Sequence, residues 1–150
     1  MPIDDMLLRV VTPQGSIMEE RASSVALWTA MGEIEILPGH APTVVLLEPG
    51  EMRVYTGTSA TERTERVFAA GDGFAQISQH AVTVFSDMAE DAEGIAMERE
   101  QEAKRRAELA LNSATPLTAD ERAITDLRLR EAMAKIQISL RRKHGRTPGG

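Results

Sequence analysis

A chain of 150 residues, 42% of them hydrophobic, is long enough to bury a core, but its 3% of aromatic residues argues against a nucleic-acid surface built on base stacking. The net charge of −6 is unevenly spread: residues 1–89 carry 12 acidic against 5 basic side chains and residues 90–150 carry 11 against 12, so the front part would repel a nucleic-acid backbone or an anionic bilayer. The chain lacks cysteine for disulfides, an apolar run of about 18 residues for spanning a bilayer, and the basic-then-apolar start of a secretion signal, a combination that suits a cytoplasmic protein.

Residues 6–12 are mostly apolar or β-branched and stop at Pro13-Gln14-Gly15, which predicts a first strand and a turn. Residues 16–20 and 24–29 give two more strands, the second with Trp28 at a sheet face or its edge. In Glu33-Ile34-Glu35-Ile36 charged and apolar residues alternate, so the isoleucines belong to a buried face and the glutamates to water. Pro38, Gly39 and Pro42 then end the strand, because proline has no N–H to give and holds its neighbour extended. Residues 43–47 form an apolar run closed by Pro49-Gly50, and Met52 and Val54 alternate with Glu51 and Arg53 as far as Gly57. Residues 64–70, 73–78 and 81–86 complete the set, with turns at Gly71-Asp72-Gly73 and Gln79-His80. Nine to ten short strands with no helical run between them predict an antiparallel β-sandwich or barrel, here a sandwich domain over residues 1–87.

From residue 88 the pattern predicts a helical hairpin with a basic tail, over 88–150. Asp87 and Glu90 have the spacing of a helix cap, and Ala92, Ala96, Ala103, Ala107 and Ala110 or Leu111 recur as one helical stripe. Asn112 to Pro116 stops this helix, and Thr118-Ala119-Asp120-Glu121 is a capping box from which a second should run to about Arg142. The second helix has two apolar stripes, Leu129/Met133/Ile136/Leu140 and Ala123/Leu127/Ala134/Ile138. They call for two partners: the first helix, reached by a five-residue connection, and either the sandwich or another protein. A seam of alanines buries little, about 0.8 kcal/mol per methyl against roughly 1.5–3 for a leucine or isoleucine, so the hairpin should hold weakly and occupy more than one arrangement.

Little in the chain points to catalysis. His40, His80 and His144 are isolated from one another, and a lone histidine in a Pro/Gly loop is more often structural than a base or ligand. Gly71 and Gly73 lack the third glycine and following helix of a phosphate loop. No nucleophile–base pair or metal-ligand spacing emerges, so no catalytic residue, metal or cofactor is assigned. Arg141-Arg142-Lys143-His144-Gly145-Arg146 fits first of all a helix C-terminus, where positive charge complements the dipole and needs no partner; the sharper reading is a contact with an acidic surface.

The segment Leu37-Pro38-Gly39-His40-Ala41-Pro42 closely resembles a loop of the epsilon subunit of F-type ATP synthases. The resemblance extends from Leu8-Arg9-Val10-Val11-Thr12-Pro13 through Leu47-Glu48-Pro49-Gly50 to the charged, alanine-rich carboxyl end, so it covers nearly the whole chain. It implies a non-catalytic subunit, peripheral on the cytoplasmic side of a bacterial inner membrane, that couples ion-driven rotation of the membrane ring to ATP synthesis. The implied partners are the gamma subunit of the central stalk, the c-ring loops, and the catalytic alpha and beta subunits through the helices. Glu33 and His40 would touch the ring, and Arg122, Arg128, Arg130, Arg141, Arg142 and Lys143 would restrain hydrolysis against the catalytic subunits.

Some family members bind ATP through an Ile-Asp-x-x-Arg-Ala motif. Here the corresponding stretch is Ile95-Ala96-Met97-Glu98-Arg99-Glu100: Arg99 and Arg106 match, but Ala96 replaces the aspartate and Glu100 the alanine. Glu131 and Lys135 stand where nucleotide-binding members have arginines. A carboxylate beside a triphosphate repels it, so tight ATP binding is not expected. The competing reading is a free-standing binding module whose helices clamp a peptide or partner.

Overall fold

The computed structural model describes residues 5–57 and 63–145, the side chains of 142–145 excepted. Two compact units part between Asp91 and Ala92.

The first unit is a ten-stranded sheet folded on itself. Its strands are β1 (Met6–Thr12), β2 (Gly15–Ala22), β3 (Ser24–Thr29), β4 (Gly32–Ile36), β5 (Thr43–Leu47), β6 (Gly50–Thr56), β7 (Thr64–Ala70), β8 (Gly73–Ile77), β9 (Ala81–Ser86) and β10 (Ala89–Asp91). They run in the order β10-β7-β6-β3-β5-β8-β9-β1-β2, with β4 added beside β3. The two-residue period decides what goes inside: in β1, Met6, Leu8, Val10 and Thr12 are buried while Leu7, Arg9 and Val11 are not. Met6, Leu8, Val25, Leu27, Ile36, Met52, Val54, Val82 and Val84 form the centre of the core, aliphatic as the scarcity of aromatics requires. Far apart in the sheet order, β7 and β2 are bridged by Arg66, whose Nη1 donates to both carboxylate oxygens of Glu20 at 3.1 and 3.2 Å.

Two details differ from the sequence expectation. The sheet is not wholly antiparallel, because β1 and β9 run parallel from Leu7 beside Ala81 to Val11 beside Phe85, bringing the unit's first strand against a late one. Asp87 does not cap a helix: Ser86 Oγ turns the chain by donating to the Met88 carbonyl at 2.6 Å and accepting from the Gly71 N–H at 2.9 Å. Residues 89–91 then pair with Phe68–Ala70 as the edge strand β10.

The second unit opens with a single 3-10 turn, Ala92–Gly94, followed by α1 (Met97–Leu111) and α2 (Ala119–Gly145). Ala92 and Ala96 therefore precede α1, whose N-cap, Ala96, makes no side-chain hydrogen bond. The start of α2 is as expected, with Thr118 Oγ1 accepting from the Glu121 N–H at 3.1 Å. The helices are antiparallel, the first turn of α1 meeting the later part of α2 where Glu100 reaches Lys135.

The seam between them departs from the expectation for α2. The α2 residues lining the cleft against α1 are Thr125, Arg128, Glu131, Ala132 and Lys135, which belong to neither apolar stripe. At 100° per residue they lie between the stripes. In one stripe Met133 and Leu140 stay exposed; in the other Ile138 is buried and Ala123 exposed.

Candidate functional site

Three features of this fold are placed to act on something outside it: the loop after β4, the cleft of the hairpin, and one outer face of the sheet. The loop is rigid for identifiable reasons. Gly39 takes a φ of 87°, which a side chain would disfavour, and its N–H donates to the Gln79 carbonyl at 2.8 Å, tying the loop to the β8–β9 turn. His40 is exposed, and its Nδ1 lies 2.7 Å from the Ala41 carbonyl, an arrangement in which Nδ1–H donates. Among the described residues no group of three or more His, Asp or Glu side chains is placed to hold a metal ion.

Glu33 is not beside His40. It faces Trp28, one rung in from the β3–β4 turn, whereas His40 follows the other end of β4. Its carboxylate is ion-paired with Arg53 Nη2, and Arg53 Nε lies 3.5 Å from Glu51. Arg53 has a raised pKa: burial pulls it down, but the charges of Tyr55, Glu33 and Glu51 outweigh that. Glu33 is thus a half-satisfied surface acid on an edge strand. Any surface holding both sequence-predicted contacts must run along β4.

The hairpin cleft, about 480 Å³, is lined by Arg99, Arg106, Arg128, Glu100, Glu131 and Lys135 over a floor of alanines. Glu100 is 7% exposed, and Lys135 Nζ donates to its Oε1 at 3.5 Å. Reading Glu100 only as a repulsive substitution missed this pairing, because the two residues are 35 apart and meet only once the hairpin register is known.

The arginines of α2 do not form one cluster. Arg128 lines the cleft with α1 while Arg130, two residues on, points about 200° away. Arg122, Arg130 and Arg141 are exposed, and the side chains of Arg142 and Lys143 lie outside the described residues.

The third feature was not singled out from the sequence. Leu46, Phe74, Phe85 and Val11 are cross-strand neighbours on β5, β8, β9 and β1, all on the outward face. Phe74 and Phe85 stack with ring centroids 4.9 Å apart, and Leu46 is 75% exposed. Val44, in the next row of β5, adds to the patch at 59%. The signal was present: Thr43-Val44-Val45-Leu46-Leu47 is apolar at every position but the first, more than a strand with one wet face needs.

Comparison with known proteins agrees with this architecture. Residues 5–92 match the family described as ATP synthase, Delta/Epsilon chain, beta-sandwich domain. The ATP synthase epsilon chain of Desulfitobacterium hafniense is 38% identical over 132 residues, 88% of this chain and 94% of that one. The sodium ion specific ATP synthase epsilon chain of Propionigenium modestum is 32% identical over 138 residues, 91% and 95% of the two chains. A chain in the structure of the Euglena gracilis mitochondrial ATP synthase OSCP/F1/c-ring assembly superposes with a TM-score of 0.69 at 21% identity, over 96% of this chain and 83% of that one. At that identity the superposition speaks to the fold, which it shares. The family match covers the sandwich, the relatives extend through the helices as well, and neither gives the free-standing module support: the chain belongs to the ATP synthase epsilon-chain family.

Proposed function

We propose that this chain is the non-catalytic epsilon subunit of an F-type ATP synthase, carried on the central stalk, where the sandwich couples ion-driven ring rotation to ATP synthesis and the helices restrain ATP hydrolysis. The observation that carries the coupling role is the apolar row Leu46–Phe74–Phe85–Val11 on the outer sheet face, at the opposite end of β5, β8 and β9 from the loop stiffened by Pro38, Gly39 and Pro42. An exposed patch of this kind fits a lasting protein contact, and we assign it to the gamma subunit. The Pro38–Pro42 loop, with Glu33 further along β4, is assigned to the ring loops. No described helix is long and apolar enough to cross a membrane, so attachment to the cytoplasmic side of the inner membrane would come through these contacts.

Native-membrane pull-down tests the assembly: the chain should recover the catalytic head and the ring, and recovery of neither would overturn the reading. The ring contact is tested by E33C and H40C. At least one should cross-link to ring loops, and failure of both in an intact complex would remove the loop and β4 from that interface.

A further inference from the structure

Among the described residues Glu100 is the one buried charged side chain, and it sits in a helix–helix seam whose apolar lining is alanine alone: Ala103, Ala107, Ala110 and Ala132. Small, uniform side chains let two helices approach but supply no knobs to fix their register. We infer that the Glu100–Lys135 ion pair is a latch that selects this one closed register of the hairpin.

The inference rests on three facts. The pair joins the helices directly, Lys135 Nζ to Glu100 Oε1 at 3.5 Å, with the side chains 16% and 9% exposed. The other ion pairs of α1, Lys104–Glu108, Arg105–Glu102 and Arg106–Glu102, lie within that helix, so they stabilise the helix without holding it to α2. Arg99, Arg106 and Arg128 line the same cleft, which leaves Glu100 as a carboxylate held among cations. A slip of α2 by one turn would set Glu131, Ala132, Ile138 or Ser139 against Glu100 in place of Lys135, and a buried charge without its partner is far costlier than a paired one. On opening, both groups are hydrated again. Such a pair adds little to the stability of the closed form against the open one, yet strongly penalises the closed forms one turn out of register. The latch exists or fails independently of the synthase; only its consequence for hydrolysis rests on the proposed restraint by the helices.

The test uses urea unfolding of the full chain, with far-UV circular dichroism following the helices and the single Trp28 reporting the sandwich. E100A and K135A should each reduce the closed-to-open equilibrium of the hairpin by roughly tenfold to a hundredfold, the range expected when one partner of a poorly hydrated pair is stranded. The second substitution on top of the first should cost far less than it does alone, and the Trp28 transition should stay in place. Additive losses, or single variants indistinguishable from the parent, would overturn the latch.

Discussion

Gly73 shows how narrowly single residues are constrained here. A Cβ added at this position would lie 1.9 Å from the Phe85 backbone carbonyl, an atom held in the β8–β9 pairing and unable to yield. G73A should therefore destabilise the sandwich by about 1–3 kcal/mol or more, measured by the urea midpoint of Trp28 fluorescence. An unchanged midpoint would mean that the two strands can part locally. Charge at the surface has a smaller, pH-dependent effect. The Arg105 hydrogen bond holds the Glu102 carboxyl below its ordinary value of 4.5, with Arg105 and Arg106 adding their charge. A depressed folded-state pKa supplies stability that is complete above the unfolded value and lost as pH falls through the folded one. E102Q should flatten the acid side of the helix stability curve below about pH 4.5, lying slightly below the parent near neutrality and converging with it in acid; an equal slope in both proteins would contradict the pairing.

Among the elements, α2 starts where its side chains dictate. T118A should lower helix stability by about 0.5–2 kcal/mol by circular dichroism, since it removes the acceptor of the Glu121 N–H. The cleft beside it should not take ATP tightly, because Glu100 already occupies Lys135. Calorimetry on the whole chain should give a dissociation constant above about 1 mM, weaker than roughly −4 kcal/mol, and a tighter value would refute this. The strands of the sandwich could be read nearly residue for residue, since alternation and Pro/Gly punctuation are local signals. β10 could not, because Ala89-Glu90-Asp91 has no strand pattern and is strand only by pairing with Phe68–Ala70. The α2 seam was misread for a related reason: hydrophobic stripes suggested the interface, whereas a small residue, Ala132, flanked by polar ones was chosen. Of the site, the loop's stiffness was legible and the separation of Glu33 from His40 along β4 was not, since it depends on which end of the strand meets which turn. Glu100–Lys135 and the Leu46–Phe74–Phe85–Val11 row were likewise invisible without register.

At the scale of the whole molecule, the division of labour follows from how each unit is held together. The first has a continuous aliphatic core and an outward apolar row suited to a lasting contact. The second is joined across a cleft lined by alanines and charged side chains with the Glu100–Lys135 ion pair, an assembly that the proposed restraint requires to open. Cationic residues such as Arg122, Arg130 and Arg141, offered to acidic segments of the catalytic subunits, would contribute about 0–1 kcal/mol each and be screened by salt, so the restraint on hydrolysis should be partial and salt-sensitive. Because β10 belongs to the sheet, the two roles are separated by ending the chain after Asp91, which removes both helices and keeps every strand. With this truncated chain the synthase should assemble and retain ion-driven ATP synthesis while its ATP hydrolysis rises above that of the full-length complex. A truncated complex that falls apart, or that hydrolyses ATP no faster at any salt concentration, would contradict the assignment of coupling to the sandwich and restraint to the helices.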